Sequence, residues 1–442
     1  MSIIQPRTLK GFRDYLPSTM TAREQVVETA RKVYRTFGFT PIDTPALEYS
    51  EILFGKGGDE SDRQMYRFED QGGRDIALRF DLTVPLARFA AQHVGKIGTP
   101  FKRYHVGPVW RGENTQRGRY REFMQFDFDT IGTESLVADI ETLVVVHDLF
   151  AALDISDFAI HFNNRDLLNG LLEKLGLGDQ AVAVLRALDK LPKVGPEKVH
   201  DELRSTAGAT PDQADSIVAL ARLDGSNDEV LAALPDVVGD SDTARKGLAA
   251  IETVLAGVRA SGIAEHRIRL DVSIARGLAY YTGTVFETFL AAAPGIGSVC
   301  SGGRYDDLAS LYTKQRLPGI GGSLGVDRLI AAMEELGQVD DRAATADVFI
   351  ALFAQDRTPD YLRLAADLRA SGLSVELYPE GRKLGAQIKY ADRRGHRLAV
   401  IIGEAEWEAG TAQVKQLDTG TAAEVAQADL GDYCVKLLEE LS

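Results

Sequence analysis

Apolar residues recur at helical spacing between positions 21 and 37, where Val26, Val27, Ala30, Val33, Tyr34 and Phe37 share one face. Thr21 and Glu24 precede them at capping-box spacing, so the pattern predicts an amphipathic helix that Gly38 ends. Residues 39–48 then alternate in strand fashion between Pro41 and Pro45. Proline lacks the N–H that a central strand must donate, which predicts a place at a sheet edge. Further strand-like runs occupy 76–80, 101–110 and 122–132, and sheet is expected to dominate up to a helix near 134–153.

From Asn163 to Ala279 there is no Phe, Tyr or Trp, while Ala, Leu and Val recur at helical spacing between Gly, Pro and Asp turns. That window reads as a helical insertion. Strand signals return at 266–273 and 284–290, followed by a Gly-rich turn at 319–325 that leads into a helix. The order predicts an α+β fold with an antiparallel sheet, interrupted by a helical module. Beyond a polar stretch the pattern changes to β-α alternation, with strands at 347–353, 374–379 and 397–403, helices at 361–372 and 384–395, and a final strand and helix near 423–440. This is an expected α/β domain of about 100 residues. The expected division is 1–162 and 263–337 for the two parts of the first domain, 163–262 for the insertion and 345–442 for the last domain.

A chain of 442 residues suggests about three domains. With 45% apolar and 26% charged residues it is an ordinary globular composition, which excludes a disordered tail or a coiled coil. Cys300 and Cys434 stand far apart without a CxxC pair, so a reducing compartment and no thiolate metal site are expected. The start has no apolar leader core and no stretch approaches the ~18 apolar residues of a bilayer span, which predicts a cytoplasmic protein with no membrane partner. A net charge of −15 argues against coating DNA, although a local basic patch can hold RNA.

The densest chemistry lies between Tyr104 and Asp129, where two strand-like stretches flank a polar loop crowded by Arg103, Arg111, Arg117, Arg119 and Arg121. Period-two alternation would put Arg119, Arg121 and Phe123 on one face. Arginines on a rigid sheet suit a polyphosphate, because each guanidinium can fork onto two oxygens; a solvated basic hairpin is the plainer alternative. A literal GxSxG occurs at Gly321 to Gly325, but Pro318 and Gly319 spoil the strand that should precede a nucleophile elbow. The seven histidines show no HExxH spacing, so no zinc site is expected.

Arg111-Gly112-Glu113, a loop, and Arg119 to Phe123 resemble motif 2 of the class II aminoacyl-tRNA synthetases. The helix at 21–37 with the segment through Pro45 resembles motif 1, and Gly321 to Arg328 resembles motif 3, a Gly-rich strand that leads into a helix with its terminal Arg. Residues 275–287 and 301–306 resemble the two signatures of the histidyl-tRNA synthetase family, and Lys10 to Pro17 and Leu78 to Thr83 add to the likeness. The resemblance runs from about residue 6 into the last domain, which would then bind the anticodon.

The resemblance implies ATP, L-histidine and tRNA as substrates, Mg2+ on the outer phosphates, and a homodimer joined through motif 1. Arg111 and Arg276 would be catalytic, meeting the α-phosphate from opposite sides. Glu113 would help hold the adenine, Phe123 would stack on it, and Arg119 and Arg328 would clamp the outer phosphates. Fixed guanidinium groups suit this reaction because attack on phosphorus builds charge on non-bridging oxygens. Asp81, Thr83 and Gln125 would surround the α-ammonium. Asp129 and Tyr281, with Tyr305, would read the imidazole, and Tyr280 and Arg276 complete the histidine site. A neutral imidazole has one donor and one acceptor, so a matched buried pair rejects other side chains. Taken alone, Asp81 or Asp129 also reads as a strand-end or capping carboxylate, and Tyr280, Tyr281 and Tyr305 as core aromatics.

For tRNA, Asn114 and Gln116 stand in the motif 2 loop where many bacterial members carry R-P-Q, and Arg393 and Arg394 belong to a basic run that begins at Arg382. Asp81 replaces a longer Glu, and Ala279 an acidic residue, of many members. The alternative reading is a non-catalytic histidine-binding paralogue that regulates ATP phosphoribosyltransferase. Such paralogues generally lose the arginine-tyrosine signature and the anticodon domain, whereas this chain keeps Arg276, Tyr281 and a C-terminal domain.

Overall fold

The structure, a computed structural model, describes residues 3–54, 59–274, 280–339, 342 and 344–441. It divides into two compact units, Met1–Asp14 with Arg23–Gln338 and Tyr15–Ala22 with Val339–Ser442.

Helix α1 spans Pro17–Thr36, starting four residues before the sequence pattern indicates. Proline suits a first turn, where its missing N–H would have no intrahelical partner. Thr21 and Glu24 therefore lie inside the helix and do not cap it. Val26, Ala30 and Tyr34 form its buried stripe. Strand β1 (Thr40–Pro41) follows, then β2 (Leu47–Tyr49), α2 (Ser50–Leu53), α3 (Asp59–Gln64), β3 (Arg67–Glu69) and β4 (Asp75–Leu78). β2, β4 and β3 make a small separate sheet.

Helix α4 (Thr83–Ile97) was not expected from the pattern, which suggested only sheet here. Its buried face, Val84, Leu86, Ala87 and Ala90, is masked in the sequence by Pro85 in the first turn. β5 (Phe101–Trp110), β6 (Glu122–Ile131) and α5 (Leu136–Ala152) fall where expected, with Ser135 capping α5. β7 (Phe158–Asn164) leads into the helices α6 (Arg165–Lys174), α7 (Ala181–Leu188), α8 (Leu191–Val194), α9 (Pro196–Thr206), α10 (Pro211–Ala221), α11 (Asn227–Val238) and α12 (Asp242–Ala260). Leu171, Leu203, Ile217, Leu234 and Ile251 are buried among them, so aliphatic residues alone supply this core. α12 packs along α6 and α5.

The chain returns through β8 (Ile268–Leu270), β9 (Thr284–Leu290), β10 (Cys300–Tyr305) and β11 (Gly319–Gly325), then α13 (Val326–Glu335). The eight-stranded sheet has the order β1-β5-β6-β11-β10-β9-β7-β8. β1 joins β5, and β8 joins β7, in parallel; the other neighbours are antiparallel. Pro41 lies on the edge strand, as its chemistry requires. The Gly-rich run is not a turn but the central strand β11, paired with β6 from Gly319↔Ile131 to Gly325↔Gln125. Bare backbone is needed there: a Cβ on Gly321 would stand 2.2 Å from Asp129 Oδ1.

β6 has two unlike faces. Phe126 and Phe128 pack against Tyr34 of α1, each ring centre 4.9 Å from it. The alternate residues Gln125, Asp127 and Asp129 therefore face the other way.

The second unit holds β12 (Val348–Ile350), α14 (Thr358–Ala370), β13 (Val375–Leu377), α15 (Leu384–Arg394), β14 (Leu398–Ile401), α16 (Glu404–Ala409), β15 (Thr411–Gln416), β16 (Ala422–Ala426) and α17 (Leu430–Glu440). Its sheet order is β13-β12-β14-β15-β16, parallel around β12 and antiparallel at β15. Two strands close it where the sequence suggested one. One core gathers Val348, Ile350, Tyr361, Leu398 and Val400, and the other face of the sheet packs Phe349, Tyr378 and Ala391. Among the described residues no helix is long and apolar enough to cross a membrane.

Candidate active site

On the polar face of the sheet, register sets three short rows. Gln125, Asp127 and Asp129 on β6 oppose Gly325, Ser323 and Gly321 on β11, and Gly107, His105 and Arg103 on β5. The glycines open a cleft above this face. Asp81, Thr83, Arg111, Glu113, Arg119, Phe123, Gln125, Tyr280, Tyr281 and Arg328 all line it. Residues separated by up to 247 positions in the chain are thus brought to one concave surface by the order of the strands.

One end is cationic. Arg111 is held over the rings of Phe80 and Phe123, 4.3 and 5.0 Å from their centres, while its Nε donates to the Phe80 carbonyl at 3.1 Å. Arg119 Nη1 donates to Glu113 Oε2 at 3.2 Å, and Arg328 Nη1 donates to the Ser298 carbonyl at 2.6 Å. Burial, then the charges of Arg119 and Arg111, pushes the Arg328 guanidinium down to about 10. Burial also lowers that of Arg111, against the pull of Asp81 and Glu113. Three guanidinium groups that raise one another's energy make a site that an oligophosphate relieves.

The other end is acidic and amide-lined. Asp81 Oδ1 accepts the N–H groups of Thr83 and Val84 at 3.1 and 2.9 Å, and Oδ2 accepts the Tyr280 hydroxyl at 3.2 Å. Burial pushes this carboxyl upward, opposed by the Val84 N–H and the charge of Arg111. Asp81 is thus both the cap of α4 and part of the cleft wall. Gln125 Nε2 donates to Ser323 Oγ at 2.7 Å, and its own Oε1 is buried without a partner. Its remaining acceptor is available to a ligand cation.

Asp129 and Tyr305 do not line the cleft. The Tyr305 hydroxyl donates to Asp129 Oδ1 at 2.6 Å, and Arg103 Nη2 stands 2.6 Å from Oδ2. Burial raises the Asp129 carboxyl while Arg103 holds it down. Tyr280 and Tyr305 are also members of a core cluster with Ala77, Val84 and Leu308. Tyr281, on the cleft side, has its carbonyl held by Arg165 Nη1 at 2.8 Å. Arg276 and Ala279 lie outside the described residues.

The arginine cluster is smaller than the sequence suggests. Arg103 is fully buried against Asp129, Arg117 pairs with Glu335 at 3.2 Å, and Arg121 Nε donates to the Glu113 carbonyl at 3.3 Å. β6 begins only at Glu122, so Arg119, Arg121 and Phe123 do not share a strand face. Asn114 and Gln116 are exposed on the loop between the strands. In the second unit, Arg393 and Arg394 close α15, the first exposed and the second half-buried. Ser323 sits within β11, not at a strand-to-helix turn, so it is no nucleophile elbow.

Sequence reasoning assigned no role to Glu287, Ser298 or Ser301, which also line the cleft, or to Asp127 beneath it, and it grouped Arg103 with the phosphate-binding arginines although that side chain is buried. Period-two spacing from Gln125 would have found Asp127, and the same spacing on the preceding strand pairs Arg103 with Asp129. Ser301 stands at the head of the 301–306 signature, which would have pointed to it, whereas for Ser298 the sequence carries no signal.

An antiparallel-rich sheet floored by glycines, a cleft joining a guanidinium end to an acidic end, and a separate α/β unit define a class II aminoacyl-tRNA synthetase: a catalytic domain with a C-terminal anticodon-binding domain. Residues 11–329 match the family described as histidyl-tRNA synthetase, and residues 347–437 the one described as anticodon binding domain. The chain belongs to the histidyl-tRNA synthetase family and is an aminoacyl-tRNA ligase. It is 58% identical to a histidine–tRNA ligase of Rhodopirellula baltica over 96% of both chains, and 44% identical to one of Wolinella succinogenes over 95% of both. The crystal structure of histidyl-tRNA synthetase from Nostoc sp. PCC 7120 superposes with a TM-score of 0.89 at 37% identity, covering 98% of this chain and 100% of that one.

Proposed function

We propose that the chain is a histidine–tRNA ligase. A histidine carboxylate oxygen attacks the α-phosphorus of ATP, the bond to the bridging oxygen breaks, and pyrophosphate leaves. The histidyl group of the adenylate then passes to a ribose hydroxyl at the 3′ end of tRNA, and AMP departs. The observation that carries this reading is the cleft itself, where three guanidinium groups and an acceptor-lined end meet on one sheet face.

In this reading Arg111, fixed by Phe80 and Phe123, takes the α-phosphate; Arg119 and Arg328 take the outer phosphates; Glu113 and Phe123 hold the adenine. Such groups act without reorganising as charge develops. Asp81, Thr83 and Gln125 Oε1 face the α-ammonium, and Tyr281 and Tyr280 line the side-chain end, with the Tyr305–Asp129 pair behind them as the groups that would read the imidazole. Asp129, whose carboxyl burial raises against the opposing charge of Arg103, is the acceptor proposed for an imidazole N–H. Arg276 is proposed on the family signature alone. Magnesium would arrive with the ATP substrate and screen its outer charge; Glu287, which also lines the cleft, offers a hard oxygen suited to it. Asn114, Gln116, Arg393 and Arg394 are proposed tRNA contacts.

The proposal includes a cytoplasmic homodimer joined through α1, and the division at 1–162, 163–262, 263–337 and 345–442. Full-length likeness to ligases, including the anticodon-binding part, favours this over the regulatory paralogue. The test is ATP–pyrophosphate exchange without tRNA, run with each amino acid in turn. Exchange with histidine alone supports the ligase, and histidine binding without exchange refutes it.

A further inference from the structure

Residues 9–14 form a strap against the loop that carries Glu113 and Arg119. The Arg121 N–H donates to the Gly11 carbonyl at 2.8 Å, and Arg13 Nη1 donates to the Tyr120 hydroxyl at 2.8 Å. The Arg13 guanidinium carbon also lies 4.2 Å from the centre of the Tyr120 ring. Gly11 has φ +86°, and a Cβ there would come within 2.7 Å of Arg121 Cγ and 2.8 Å of Thr115 Cγ2. The strap therefore fits closely against the tip of the loop and the end that leads into β6.

The same arginine reaches a second part of the site. Arg13 Nη2 stands 3.7 Å from Asp327 Oδ1. Asp327 is buried, directly precedes Arg328, and accepts the Met124 N–H at 2.6 Å and Arg23 Nη2 at 3.1 Å. Its carboxylate ties β6, beside Phe123, to α13, beside Arg328. Arg13 thus touches the phosphate loop with one nitrogen and approaches the clasp between the base-stacking strand and the third guanidinium with another.

We propose that Arg13 is a positioning residue for ATP, acting through Tyr120 and Asp327 rather than on the nucleotide. The inference rests on reading the cationic end as the ATP site. Between Gly112 and Arg119 the loop is closed on itself by the narrow bridge Gln116↔Arg119, and its tip at Asn114 to Arg117 is exposed. A loop with an exposed tip loses affinity to ordering when it must place Arg119 on a phosphate, and a cationic clamp stacked on the tyrosine at its base removes part of that cost in advance. Histidine, bound at the far end by Asp81 and Gln125, gains nothing from it.

The experiment is calorimetric titration of Mg-ATP, and separately of histidine, into the full-length chain and its Arg13→Ala and Gly11→Ala variants, with the KM for ATP in histidine-dependent exchange as a second readout. Arg13→Ala is expected to weaken ATP binding about tenfold, leaving histidine affinity within about twofold and the melting temperature within about 2 °C. Gly11→Ala, which displaces Arg121 and Thr115, should change ATP affinity in the same direction. Arg13→Lys, keeping charge but not the flat fork, should fall between. ATP affinity unchanged in both variants, or histidine affinity falling in step with it, overturns the proposal. Should the wild-type chain bind ATP but show no exchange with histidine, the ligase reading fails while a shift in ATP affinity still upholds the strap.

Discussion

Asp127 shares its sheet face with Gln125 and Asp129, and burial pushes its carboxyl up to about 7 although Arg103 pulls the other way. In the unfolded chain the same group titrates near about 3.9. The folded protein therefore binds this proton more tightly. Asp127 costs nothing below about pH 4 and becomes progressively destabilising as pH rises toward about 7, by a few kcal/mol at most. Replacing it with Asn removes that dependence. Urea unfolding should show Asp127→Asn gaining on the wild type between about pH 4 and 7 and holding a constant lead above. A difference that is flat across that range would show that Asp127 does not carry the proton. The group persists, we infer, because it keeps the floor of the cleft polar beside Ser323 and Gln125.

Helix α4 makes Asp81 answer to two roles, since it accepts two N–H groups of the first turn and faces the cleft. The roles separate by substitution. Asp81→Asn keeps an oxygen acceptor for the cap and loses the charge, so the KM for histidine should rise at least about tenfold while stability changes by under about 0.5 kcal/mol. Asp81→Ala should raise the KM similarly and also lose about 1 kcal/mol. Equal stability of the two variants, by thermal unfolding, would deny the capping role; an unchanged KM would deny the other. Elements whose pattern is local were legible beforehand: α1 from its i, i+4 stripe, β5 and β6 from their alternation, and the helices between Arg165 and Ala260 from aliphatic residues without aromatics. α4 was hidden by Pro85. β11 showed only through its likeness to motif 3, because its glycines answer to Asp129 on β6 and Phe286 on β9, not to any propensity of their own. The cleft was legible through Arg111, Arg119, Phe123 and Arg328, whose likeness to known motifs fixed them in advance. Arg103 was misjudged because its partner lies across a strand pair, and Ser298 was missed because nothing in a sequence marks a wall formed by folding.

Across the whole molecule, the two compact units divide chemistry from recognition, which makes their failures separable. Arg393→Ala combined with Arg394→Ala should leave histidine-dependent exchange unchanged and weaken tRNA charging, with a shallower salt dependence because fewer phosphate contacts release counterions. Equal losses in exchange and charging would contradict the anticodon-side assignment. Within the catalytic unit, one strand spans both ends of the cleft. β11 runs from Gly321, opposite Asp129, through Ser323 to Gly325, opposite Gln125, and continues directly into the helix that bears Arg328. Extended chain advances about 3.3 Å per residue, and a central strand bonded on both sides does not stretch. In the proposed binding mode it works as a ruler: the span from the end assigned to the imidazole to the end assigned to the phosphates is set by covalent geometry. An amino acid with one methylene more or fewer can still seat its ring, but its carboxylate then misses the phosphorus by about 1 Å, an error that costs rate on the order of a hundredfold. Selection against such near-cognates falls on turnover rather than on occupancy.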